Sequence, residues 1–173
     1  MCACGQPVTL APRDELAASK ERLLSAGNLS APFQLSVRAL RSDSDLLVAM
    51  RIIAATPTEL RRYADAFRGA ALSPRNEVKW RLLLRETVEA LLADAEAETS
   101  AAQDELLLAR WAGERSQRPL ARAGGGQAER RHRAALTCRL GEKRLLRAVL
   151  EDLSQSLAEL RKPQGAADSP TRA

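Results

Sequence analysis

Near the C-terminus, Leu146, Val149, Leu150, Leu153, Leu157 and Leu160 recur in steps of three and four, while charged, polar and small residues, Arg147, Glu151, Asp152 and Glu159 among them, fill the positions between them. That spacing puts the apolar side chains on one face of a helix. A helix with a single apolar stripe draws most of its stability from packing against something else. The upstream segments therefore have to cover that stripe, and a helical bundle is the simplest cover.

Composition points the same way. The chain of 173 residues is 45% apolar but only 3% aromatic. Leucine, alanine, arginine and glutamate dominate it, and all four favour helix, whereas the β-branched residues that favour strands are scarce. The expected class is all-α, with two long antiparallel helices over about 75–97 and 127–161 and at most one short N-terminal strand. That length suits one ordinary domain.

Taken in order, residues 1–12 read as an irregular lead-in and 13–161 as a helical domain. Asp14 to Ala26 predicts a first helix, ended by Gly27 and Asn28. Phe33, Leu35 and Val37 alternate with polar residues, which is the strand pattern, yet no partner strand is evident. Ser42 to Asp45 supplies N-cap oxygens for a buried helix ending near Ala55. Thr56, Pro57 and Glu59 form a capping box with proline at the first helical position, opening a helix through Leu60, Tyr63 and Phe67 to Gly69. Ser73 and Pro74 open the long helix that carries Trp80, Leu84, Val88 and Leu91. Ser100 and Gln103 cap a shorter helix to Trp111. Residues 113–126, with Pro119 and three consecutive glycines, read as a mobile loop, and 162–173 as a disordered tail.

Chemistry is sparse. His132 sits between two arginines and reads as a solvated histidine; Cys138 reads as a small core residue. Cys2, Cys4 and Cys138 are too few for a disulfide framework or a four-ligand zinc site, so no metal and a reducing, intracellular setting are expected. No apolar run reaches membrane-spanning length, and no secretory signal is readable, so no membrane partner is expected. Trp80 and Trp111 read as packing residues. Gly141 in mid-helix suggests close approach of a neighbouring helix, and Glu142 with Lys143 a solvated pair or a cap onto a neighbouring helix.

The net charge is +5, and between Gly113 and Arg144 nine arginines and lysines face three glutamates. The plainest reading is a solvated charged loop; a protein-docking face comes second. Nucleic acid comes last, because no aromatic residue follows Gly113 to stack a base. The candidate partner-binding residues are Arg130, Arg131, Arg133, Arg139, Glu142 and Lys143.

The order of motifs resembles the C-terminal helical lobe of SET-domain protein lysine methyltransferases of the Rubisco large-subunit methyltransferase type. The resemblance rests on Asn76-Glu77 opening a long helix, then Leu91-Leu92-Ala93, Thr99 and Asp104-Glu105-Leu106-Leu107. After these come Arg133 to Leu146, with the core Arg139-Leu140-Gly141-Glu142-Lys143. Pro32-Phe33-Gln34-Leu35 and Leu46 to Arg51 fit the start of that lobe, so the likeness spans about 14–161. It implies a module that holds a protein substrate, while a SET lobe binds S-adenosylmethionine and performs the methyl transfer. No SET lobe, Gly-rich cofactor motif or catalytic tyrosine context is read here. This chain alone is therefore expected to be non-catalytic and without cofactor, its partners a protein substrate or a SET lobe. The alternatives are a scaffold that self-associates through the Leu146–Leu160 stripe and, behind it, a basic nucleic-acid accessory protein.

Overall fold

The computed structural model describes residues 6–8, 10–30, 32–41, 44–116 and 126–162. Cys2, Cys4, most of the expected Gly-rich loop (117–125) and the tail beyond Lys162 lie outside the described residues. The elements run β1 (Gln6–Val8), α1 (Ala17–Ala26), β2 (Phe33–Leu35), a 3-10 turn (Arg38–Leu40) and α2 (Asp45–Ala54). Then follow α3 (Pro57–Leu60), α4 (Tyr63–Phe67), α5 (Pro74–Glu96), α6 (Ala101–Ser116) and α7 (Gln127–Arg161). The class is all-α, a bundle built on the two long helices. No described helix is long and apolar enough to cross a membrane.

Helix starts follow from local chemistry. The Ser44 hydroxyl accepts the Leu47 N–H, the Ser73 hydroxyl the Asn76 N–H, and the Ser100 hydroxyl the Gln103 N–H. At Thr56 the capping box closes in both directions with Glu59. Each cap satisfies donors that a helix N-terminus otherwise leaves unpaired.

The core forms around α2, of which nine residues from Leu46 to Ala54 are buried. α5 lays Trp80, Leu84 and Val88 on it, and α7 adds Leu146, Val149 and Leu153. The α5–α7 pair is the largest contact between elements. It is antiparallel: Arg81 near the start of α5 bonds Ser156 near the end of α7, and Glu96 at the end of α5 bonds Arg147. The Leu146–Leu157 stripe is thereby covered within the chain, with its members 3% exposed or less apart from partly buried Leu150. That part of the stripe is used within the chain, while Leu160 at its end stands exposed.

Four expectations change. The strand at Phe33–Leu35 does have a partner: β1, inside the stretch read as irregular, pairs antiparallel with it, Val8 opposite Phe33. There are thus two short strands rather than one, and both bring a side chain, Val8 and Leu35, into the core. The single helix expected over 57–69 is broken at Arg61 and Arg62 into α3 and α4, which leaves Tyr63 and Phe67 partly exposed and packed edge-to-face on each other. α6 continues through Gly113 to Ser116 instead of stopping at Trp111. Cys138 is exposed rather than in the core. Leu136, Leu140 and Lys143 define the inward face of α7 there, and a residue two positions from Leu136 is rotated about 200° away from it.

Candidate partner-binding surface

Among the described residues, two interior polar clusters each fix a helix junction; apart from them, buried Lys20 of α1 donates to the Ile53 carbonyl of α2 at 2.8 Å and pairs with Asp14. In the first, Glu77 at the start of α5 accepts from Arg51 Nε of α2 at 2.8 Å and from Arg81 Nη1 at 2.8 Å. Arg51 also donates to the Gly69 carbonyl, and Arg81 Nε to Ser156 Oγ of α7. Asn76 Nδ2 donates to the Arg51 carbonyl at 3.0 Å. Burial acts to raise the Glu77 pKa, but the two guanidinium bonds outweigh it and hold the carboxyl below its ordinary value. Arg81 further lies over the Trp80 ring, 4.2 Å from its centroid.

The second cluster joins the α5–α6 turn to α7. Asp104 and Lys143 are both 0% exposed and meet at 2.7 Å. Asp104 accepts two bonds from Arg139 at 2.6 and 3.1 Å, and one from the Thr99 hydroxyl at 2.8 Å. Lys143 Nζ also donates to the Thr99 carbonyl and, at 3.1 Å, to its hydroxyl. Burial works to raise the Asp104 pKa; the bonds from Arg139, Lys143 and Thr99 win and lower it to about 2. A buried carboxylate is tolerated only with such full satisfaction. Outside this cluster, Arg144 pairs with Glu105 and Arg147 with Glu96.

The six candidate residues thus separate. Arg130, Arg131 and Arg133 stand exposed on the first turns of α7 and make no ion pair among the described residues. Arg139 is tied to Asp104. Lys143 is wholly interior and has no surface to offer a partner; it caps the Thr99 carbonyl. Glu142 is partly exposed and lines a groove. His132, although exposed, is not isolated: its ring meets that of Trp111 edge-to-face, centroids 5.0 Å apart, and Trp111 itself is only partly buried. Gly141 does not mark close helix contact, since nothing lies within 4 Å of where a Cβ would stand.

Among the described residues, three concavities bordering α5 stand out. One of about 540 Å³ lies over Trp80 and Arg81, between Arg41 and Glu159. A second, of about 470 Å³, runs from Leu10 and Arg13 along Lys79, Leu83, Glu86, Thr87 and Ala90 to Leu91 and Asp94. A third, of about 390 Å³, starts at the same Leu91 and Asp94 and ends at Glu98, Arg139 and Glu142, in the cleft between α5 and α7. Sequence reasoning named the α5–α7 cleft, Arg139 and Glu142. It missed Asp94, whose signal is its spacing from Leu91 on one face of α5, and Glu98, which follows the end of that helix.

Asn76, Glu77, Thr99, Asp104, Arg139 and Lys143, on which the family resemblance rests, are largely the residues of the two clusters. They act as architecture, fixing α5, α6 and α7 relative to one another. No curated protein matches the chain significantly. A family model does, the one described as Rubisco LSMT substrate-binding, over residues 11–146. Because that match takes in most of the chain, from the lead-in before α1 to the middle of α7, the chain belongs to the Rubisco LSMT substrate-binding family.

Proposed function

We propose that the chain is a substrate-recognition module for a SET-type protein lysine methyltransferase, binding protein and leaving methyl transfer to a separate SET lobe. The observation that carries this is the pair of concavities along one flank of α5, which adjoin at Leu91 and Asp94 and together make up a trough along a rigid wall. Both clusters described above lock that wall, and preorganised surfaces lose less freedom on binding.

Reconstitution tests the reading. Purified chain, a SET lobe of the same family and methyl-labelled S-adenosylmethionine are incubated with a protein substrate of that lobe. Labelling is expected to rise when the chain is present, and to fall back when Ala90→Trp fills the trough. Labelling by the chain alone would overturn the non-catalytic assignment, and labelling indifferent to the chain would overturn recognition.

A further inference from the structure

The trough carries a charge pattern of its own. On α5 it is lined at steps of three and four from Lys79 to Asp94, which at 1.5 Å per residue spans about 22 Å, and Glu98 lies in the turn that follows the helix. The α5 wall alone matches about seven residues of extended chain. Leu83, Leu91 and Ala95 are partly exposed and give it an apolar floor. Toward the α7 end stand Asp94, Glu98 and Glu142, none of which makes an ion pair among the described residues. The only cation lining that end, Arg139, is already held by Asp104. The Asp104, Arg139 and Lys143 cluster beneath contributes one net positive charge, so this end keeps an excess of two negatives on a chain whose total is +5.

An open groove with unpaired carboxylates above an apolar floor attracts cationic side chains and disfavours acidic ones. Resting on the recognition reading above, we propose that the trough docks an extended segment of a partner protein bearing lysine or arginine. Its apolar side chains lie against Leu83, Leu91 and Ala95, and its cations sit over Asp94, Glu98 and Glu142. The docked cations are distinct from any residue undergoing reaction. The arginines of early α7 play no part in this contact.

Fluorescence anisotropy with the full chain tests it, using a labelled octapeptide of alternating lysine and leucine and a counterpart with glutamate for lysine. The lysine peptide is expected to bind at least tenfold tighter than the glutamate one and to weaken as salt rises. The triple change Asp94→Asn, Glu98→Gln and Glu142→Gln should reduce its affinity at least tenfold. Arg130→Gln, Arg131→Gln and Arg133→Gln together should leave it unchanged. Equal binding of the two peptides, or a triple variant that binds like the native chain, would overturn the proposal. If reconstituted labelling depends on the chain yet ignores the three carboxylates, this inference fails and the recognition reading stands. If peptide binding tracks the carboxylates but labelling ignores the chain, the trough stands and the recognition reading fails.

Discussion

The two halves of α7 are held in place by different forces. Its C-terminal half buries Leu146, Val149 and Leu153 in the main core against α5 and α2. The apolar side chains that its N-terminal half buries are Leu136 and Leu140, which are not part of that core cluster, and this half is fastened to α6 by Asp104, Arg139 and Lys143. Apolar contact is non-directional and scales with area, so the first half tolerates small shifts. Charge-assisted hydrogen bonds are directional, and a buried one left half-made is expensive. One continuous helix therefore combines a robust base with a specified but brittle arm. The acidic end of the trough, at Glu98 and Glu142, lies where the two regimes meet.

The sharpest way to break the base is Leu153→Ala. Removing a fully buried leucine side chain typically costs about 3–4 kcal/mol, and here urea denaturation should show one cooperative transition at lower midpoint. A local loss confined to the end of α7 would contradict the idea of a shared core.

Breaking the arm should follow a different pattern. Asp104→Ala leaves Lys143 buried without its carboxylate and is expected to cost about 3 kcal/mol, the lower end for a broken buried pair because Arg139 is 35% exposed and partly hydrated. Amide exchange should accelerate in α6 and in residues 127–143 of α7, while α2 keeps its protection. Uniform acceleration across all helices would show that the arm and the base unfold as one.

Acid should reproduce that change reversibly. The Asp104 carboxyl falls from an ordinary 3.8 to about 2 in the folded chain. A depressed carboxylate pKa adds stability that is fully present above the unfolded value and is lost as pH falls through the folded one. The urea midpoint of the native chain should therefore drop between about pH 5 and pH 2, and Asp104→Asn should flatten part of that slope. Glu77, Glu59 and Asp14, also lowered, account for what remains. An unchanged slope in the variant would remove Asp104 from the account.

Two milder changes sharpen the contrast. Gly141→Ala fills open space in a helix and should stabilise the chain by about 1 kcal/mol, read as a higher thermal midpoint. Neutralising Arg130, Arg131 and Arg133 should alter stability by only a few tenths of a kcal/mol, in the stabilising direction, because cations near a helix N-terminus oppose its dipole. A clear destabilisation would reveal partners for these arginines.

Much of this was legible in the sequence because it is local. Ser44, Thr56 with Glu59, Ser73 with Pro74, and Ser100 with Gln103 cap helices from within three residues, and the Leu146–Leu157 stripe declares its inward face by period alone. The expected ranges of the two long helices, about 75–97 and 127–161, agree with α5 and α7 to within a residue. The candidate site was half legible. The α5–α7 cleft with Arg139 and Glu142 could be named, but a count of charges cannot tell which arginine or lysine has a carboxylate waiting. Lys143 and Arg130 look alike in the sequence; one is interior and the other solvated.

What the sequence by itself determined is the helical class, the caps and the inward faces of α5 and of the C-terminal half of α7, because hydrogen bonds and side-chain period act between neighbours in the chain. Only the tertiary structure decided the pairing of β1 with β2, the burial of Lys143 with Asp104 39 residues away, the open space at Gly141 and the joining of two grooves at Leu91 and Asp94. These depend on which distant side chain arrives within about 3 Å, the range at which a buried charge becomes stable.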